Sequence, residues 1–462
     1  MPPGCEKSPS EDATVLQDKC GLFVDAMNGD DKNPGTEAAP LKTLQKAIEA
    51  KPFRIYACGT FDERISVAGG ISIFGGFDCS TAEWTYDATK KATISPSVAP
   101  LLGKVQASLR VTAGTLATQL EDLVIAAPDA VIESGSSIAV IVDGAKVNFV
   151  RADLNAGRGA AGAKPATPSE PIGPTDPNDA SIRGNDGQMA CFGGPMGNLG
   201  GEAKANMLCA ESIGGAGGKG QEALGEKGAD GLPVVNGFGV GGVGEGAAQC
   251  MPGAEGANGA TGLDGDGATE VGSLNATTGY WGGTGSPGGK GTIGQGGGGG
   301  GGAKGKVDCY GASGGGGGAG GCGGNGGLGG TPGGASLGLV SINATTSFQD
   351  VTITRKEAGP GGDGGDGQYG VTGGAGGIGG AANMGLVKAC AGRAGGTGGN
   401  GGKAGGGTGG HSVGITFKGT APVTTGITFT PPPANAAGAG GKSAVGKKDG
   451  ASGVVQDVLE IP

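Results

Sequence analysis

Aromatic side chains are scarce, at 4% of 462 residues. A conventional hydrophobic core running through the whole chain is therefore excluded. Histidine occurs once, at His411, and no Ser, Cys or carboxylate constellation accompanies it in sequence, so a structural role is the expectation there. No apolar run approaches the roughly 18 residues of a membrane-spanning helix. Lys and Arg number 32 against 42 Asp and Glu. That balance argues against a surface for nucleic acid or anionic membrane, which needs clustered positive charge. No two cysteines are spaced C-x-x-C, so zinc-type ligand spacing is missing too.

Glycine and cysteine are what the chain has instead. Glycine supplies 113 residues. The ten cysteines are Cys5, Cys20, Cys58, Cys79, Cys191, Cys209, Cys250, Cys309, Cys322 and Cys390. An even number without metal spacing reads as disulfides, hence an oxidising, extracytoplasmic location. Cys5 with Cys20 and Cys58 with Cys79 are plausible neighbours, and the remaining connectivity is open. The opening MPPGCEKSPS has no apolar signal region, so a signal peptide is expected to be missing from this chain. Gly4-Cys5 weakly resembles a lipoprotein cleavage site, with prolines where an apolar residue is wanted.

Residues 1–20 read as a tail, and the sequence to residue 157 as ordinary globular protein. GLFVDA alternates like a strand, MNGDDKNPGT is dense in turn formers, and APLKTLQKAIEA carries Leu41, Leu44, Ala47 and Ile48 at helical spacing. Pro40 suits the first turn of that helix. RIYACGT and ISIFGGF follow as short apolar strands. In that order these motifs resemble the start of secreted bacterial proteins of the pectin-lyase-like superfamily. The resemblance implies an all-β fold, a right-handed parallel β-helix with an N-terminal capping helix. It implies nothing firm about activity.

A spaced repeat supports a solenoid independently. Ser108, Ser137, Ser336 and Ser412 each open a unit with apolar residues one and three positions on: Leu109/Val111, Ile138/Val140, Leu337/Leu339 and Val413/Ile415. Each unit closes with a second pair: Leu123/Ile125, Ala152/Leu154, Val351/Ile353 and Ile427/Phe429. Period two within each pair predicts strands with one buried face, and fixed offsets predict stacked coils. Glycine-rich blocks separate the later units. The expected division is 21–157 solenoid with capping helix, 158–334 insertion, and 335–358 a coil. A second insertion (359–410) and final coils with a short third insertion (411–462) complete it. All insertions should leave from one corner.

Within the blocks glycine falls every third residue: Gly253 to Gly265, Gly282 to Gly300, Gly314 to Gly329, Gly361 to Gly379 and Gly392 to Gly401. A flexible linker needs no such period, whereas polyproline-II geometry, with three residues per turn, does. Collagen fits less well, because triplets such as GGA-GGC-GGN-GGL carry two glycines and proline is sparse. Two bare sides let neighbouring rods of roughly 30 to 60 Å exchange backbone hydrogen bonds. Turns at AKGKVDCYGAS and AANMGLVKACA, each with a cysteine, would join antiparallel rods. The pattern resembles polyglycine-II bundles of a glycine-rich antifreeze protein and of phage tail-fibre tips. The chain as a whole resembles bacterial glycine-rich proteins of PGRS-like type, without a PE domain. The stretch Gly317 to Gly334 reads as the last rod, with Cys322 as its staple.

Chemistry is sparse. Asp122, Asp153 and Asp350 lie near second strands but in no single column, and no catalytic set is found. GGDGGDGQY resembles a calcium-binding nonapeptide with Gln368 in its apolar position and no tandem copy. Asp25, Asp30, Asp31 and Asn33, with Asn28 among them, give better oxygen density for Ca²⁺, although an Asx-turn entry into the helix accounts for them too. No cofactor is expected. Tyr280 and Trp281 could contact sugar rings or pack a turn. The function expected is that of a non-enzymatic extracellular or cell-surface structural or adhesion protein, with cell-surface glycans or surface proteins as partners. Ice binding and a polysaccharide lyase or hydrolase activity are the alternatives, and oligomeric state stays open.

Overall fold

The computed structural model describes residues 2–81, 83–98, 107–167, 172–192, 198–443 and 448–462. Three all-parallel six-stranded sheets wrap one interior, the architecture of a parallel β-solenoid. The first sheet runs Leu22–Asp25, Arg54–Cys58, Ser72–Phe74, Thr118–Glu121, Lys146–Val150, Thr345–Gln349. The second runs Thr60–Phe61, Ala92–Ile94, Leu123–Ala126, Asp153–Asn155, Val351–Thr354, Ile427–Phe429. The third runs Ile65–Ala68, Ala107–Thr112, Ser137–Asp143, Ser336–Ile342, Ser412–Lys418, Val455–Glu460. Coils therefore carry three strands rather than the two expected. The first-sheet strands escaped the repeat because KVNFV and TTSFQ put polar residues on their outer face.

The closing pairs stack as expected: Ile125 on Leu154, Leu154 on Ile353, and Ile353 on Phe429. The opening pairs need two corrections. Ser137, Ser336 and Ser412 align, but Leu109 pairs with Val140, so the Ser108 unit is displaced by two residues. The two residues of each later pair also face opposite ways. Val140, Leu339 and Ile415 are inside, whereas Ile138, Leu337 and Val413 are outside. Pairing skips Ala139, Gly338 and Gly414, where the strands bend. Size explains the glycines at that bend. A Cβ on Gly338 would lie 2.3 Å from Ile353 Cγ2, and one on Gly414 2.5 Å from the Phe429 ring.

Corners are equally ordered. Asp122, Arg151, Asp350 and Gly426 occupy successive levels of the corner between first and second sheets, with φ of 51°, 46°, 53° and 84°. A left-handed residue turns the chain there between two strands in one step. Asp122 and Asp350 thus share a column, with Arg151 standing between them. Asp153 lies two residues past that column and pairs with Lys91 at 2.8 Å.

The short helix Leu44–Glu49 buries Leu44, Ala47 and Ile48 against the first coil. It starts later than Pro40 suggests. Thr43 is the N-cap, its Oγ1 accepting from Lys46 N, and Glu63 accepts from the free N–H groups of Leu44 and Gln45 at 2.9 Å each.

The glycine-rich excursions leave between the second and third sheets at successive levels and bond into one body. Gly438 N donates to Gly410 O, Gly410 N to Gly359 O, and Gly359 N to Gly334 O, which links all three. The segment 311–334 lies at the centre of this body rather than last in it. Gly316, Gly317 and Gly318 donate to Asn185, Gly215 and Arg393. In return, the carbonyls of Gly314, Gly316 and Gly318 accept from Gly201, Gly377 and Gly297. Donors and acceptors recur every three residues along antiparallel neighbours, as in Gly288, Gly291 and Gly294 donating to Gly327, Gly324 and Gly321. Such contact leaves no room for side chains: a Cβ on Gly318 would sit 2.0 Å from Gly374 O.

Candidate functional site

Backbone direction fixes which end of the glycine body faces away from the solenoid. Residues 334, 359 and 410 adjoin solenoid strands, so the turns near residues 303–311 and 381–389 lie at the far end. The far turns form a built tip. Lys306 N and Cys309 O close one turn, Lys306 Nζ reaches Met384 O at 2.9 Å, and Asn383 Nδ2 reaches Ala190 O at 3.1 Å. Disulfides Cys191–Cys309 and Cys250–Cys390 tie the same turns to their neighbours. Apolar side chains stand out from it: Phe192, Val307 and Met384 are 70%, 81% and 68% exposed.

All ten cysteines are paired, the other bridges being Cys5–Cys20, Cys58–Cys79 and Cys209–Cys322. Five disulfides suggest an oxidising, extracellular environment. Cys322 sits in the central segment and is almost fully buried. No helix among the described residues is long and apolar enough to cross a membrane.

Tyr280 and Trp281 part company. A hairpin of Ser273–Asn275 and Gly279–Trp281 lies on the outer face of the third sheet. There Leu274 and Tyr280 cover Ile138, Ile141, Leu337 and Val340. Tyr280 is buried, while Trp281 is 45% exposed. His411 packs on the Tyr280 ring at 5.1 Å between centroids. Burial holds its imidazole below the ordinary value, only partly offset by the hydrogen bond to Val271. This group joins hairpin, sheet and glycine body.

The oxygen-rich loop is occupied by the protein itself. Asp25 Oδ1 accepts from Met27 N and Asn28 N, Asp30 Oδ1 from Lys32 N, and Asp31 from Lys42 N, Thr43 N and Thr43 Oγ1. Asn33 Nδ2 donates to Pro40 O at 3.0 Å. These are turn and cap contacts of the kind that position a helix entry. In the nonapeptide-like stretch, Asp366 pairs with Lys164 at 2.9 Å and Asp363 accepts from Lys442 N. Among the described residues, no three His, Cys, Asp or Glu side chains are grouped to hold a metal ion.

One polar group went unread in the sequence. Arg151 Nε and Nη2 bond Asp122 at 2.8 and 2.9 Å, Arg151 Nη2 also bonds Glu121, and Tyr86 Oη donates to Asp122 at 2.9 Å. Glu121 and Asp122 are both 1% exposed. Burial, then the bond to Asp122, pushes the Tyr86 hydroxyl up to about 12. The hydrogen bond to Asp122 likewise raises the Arg151 guanidinium, so this group is charged throughout the neutral range. No protein-family model matches the chain, and no curated protein matches it.

Proposed function

We propose that this is a non-enzymatic extracellular or cell-surface protein in which a right-handed β-helix holds out a polyglycine-II bundle whose tip makes adhesive contact. The tip carries the reading. Apolar side chains such as Leu263, Tyr369 and Ile378 stand out singly along the rods, whereas Phe192, Val307 and Met384 project together from turns fixed by two disulfides. Exposed apolar groups on a rigid support are the usual mark of a contact surface. A bundle whose segments exchange backbone hydrogen bonds at three-residue intervals gives such a tip a stiff stalk.

Binding of the oxidised protein to whole cells and to glycan and surface-protein arrays tests this. Binding that falls at least about tenfold with Val307→Asp and Met384→Asp supports it, since each buried apolar anchor contributes on the order of 1–3 kcal/mol. A folded protein inert on every surface, or one whose binding ignores both substitutions, overturns it.

A further inference from the structure

The carboxylates of the polar group at the first-to-second sheet corner are buried, and the N-terminal tail covers Glu121. Ser8 Oγ and Ser10 Oγ each lie 2.6 Å from the same carboxylate oxygen, Glu121 Oε1, and 2.9 Å from each other. The other carboxylate oxygen, Oε2, accepts from Gln119 Nε2 at 2.5 Å. The tail is pinned close by. Cys5–Cys20 closes it into a loop, and Tyr56 Oη donates to Val15 O at 2.7 Å. Beside this contact opens a cavity of about 650 Å³, with Ser10, Trp84 and Tyr86 on its wall together with Glu11, Glu37 and Glu83.

Two hydroxyls side by side, both directed at one carboxylate, reproduce how neighbouring hydroxyls of a sugar ring present themselves to an acidic side chain. Around that carboxylate stand a guanidinium and an amide with N–H groups to spare for further sugar oxygens, and the Tyr86 phenol, whose proton goes to Asp122 and whose oxygen can accept from a sugar hydroxyl. Tyr86 and the rim of the largely buried Trp84 border the adjoining cavity beside Glu11, Glu37 and Glu83, where the next sugar would find hydrogen-bond acceptors. We propose that Glu121, Gln119, Arg151 and Tyr86 form a saccharide subsite for a vicinal diol, and that Ser8 and Ser10 occupy it as an internal mimic. The tail is then an autoinhibitory strap, and the glycan chain would run from Glu121 into the cavity beside Trp84. The inference rests on the adhesion reading and names one class of ligand for it, a neutral glycan bearing vicinal hydroxyls.

The full oxidised chain with Ser8→Ala and Ser10→Ala is compared with wild type on an array of neutral oligosaccharides, followed by calorimetry on the best probe. Emptying the mimic should tighten binding about tenfold or more, as expected when a mostly closed site becomes competent. Adding Glu121→Gln, or Tyr86→Phe where the former lowers the melting transition, should cancel that gain. If the double serine variant unfolds, Ser10→Ala alone serves, because Ser8 keeps a donor on Glu121. A folded serine variant that gains no glycan binding, or gains it regardless of Glu121 and Tyr86, overturns the proposal. Tip-dependent cell binding without any such gain leaves the adhesion reading standing and removes only this one. Loss of both removes both.

Discussion

His411 joins two parts of the chain that are far apart in sequence: its Nε2 donates to Val271 O at 2.8 Å, while its Nδ1 accepts from Val454 N at 3.0 Å. Both ring nitrogens are used, so only the neutral ring with its proton on Nε2 satisfies the site.

Acid should therefore loosen this joint. Burial depresses the folded-state value of His411 below that of the unfolded chain. In the window between the two values the unfolded chain binds the extra proton, so stability rises with pH. The contribution is complete above the ordinary imidazole value of about 6.5 and is lost as pH falls below it. With a single histidine in the chain, melting temperature measured from pH 8 to pH 5 should fall mainly below about 6.5. His411→Gln should flatten that slope. An unchanged slope in the variant would assign it elsewhere.

Removing Arg151 should be costly although the residue is partly exposed. Its guanidinium is the cationic partner of Glu121 and Asp122, which are 1% exposed. Arg151→Ala leaves two buried carboxylates without their counter-charge, an effect on the order of 3–5 kcal/mol. Chemical denaturation at pH 7 should show that loss. Arg158→Ala, which breaks an exposed pair with Glu357, should change stability by less than about 1 kcal/mol.

The solenoid was legible because Ser137, Ser336 and Ser412 open strands with like-spaced apolar residues, and because Leu154, Ile353 and Phe429 recur at matching offsets. Face assignment was not. A bend at Ala139, Gly338 and Gly414 breaks the alternation, and nothing in a two-residue period announces a bend. The threefold glycine spacing correctly signalled backbone exchange between extended segments. It could not say that 311–334 sits at the centre, since every glycine triplet offers the same bare backbone to any neighbour. The Glu121 group was invisible for a different reason. Ser8 and Glu121 are 113 residues apart, and Asp122 and Arg151 share a column only once two coils are stacked.

Disulfide Cys209–Cys322 should matter more than Cys5–Cys20. It closes a sequence separation of 113 residues against 15. With Cys191–Cys309 still in place the loop that Cys209–Cys322 closes shortens to about 30 residues, and loop-closure entropy gives roughly 3.7 kcal/mol against about 3 kcal/mol. Glycine loses more conformational entropy on folding than other residues, so the glycine body depends heavily on such restraints. The Cys209→Ser, Cys322→Ser double variant should lose protection of the glycine amides in hydrogen exchange while solenoid amides stay protected. Uniform loss across both parts would mean that they unfold as one unit.

A single methyl group in the central segment gives the sharpest test of the backbone lattice. A Cβ on Gly318 would stand 2.0 Å from Gly374 O and 2.5 Å from Gly374 C, both backbone atoms with no rotamer to escape into. Relief requires these two segments to separate, which breaks the bonds Gly374 N to Ala319 O and Gly377 N to Gly316 O. Overpacking and lost hydrogen bonds together predict that Gly318→Ala destabilises by about 3 kcal/mol or more. Helix and strand propensities favour alanine over glycine, so a flexible linker would show no loss or a slight gain. Ile378 lies on the adjacent segment with its side chain 62% exposed, and Ile378→Ala should stay within about 0.5 kcal/mol of wild type. Equal effects at the two positions would contradict the lattice, because only a close-packed backbone separates a buried methyl gained from an exposed side chain lost.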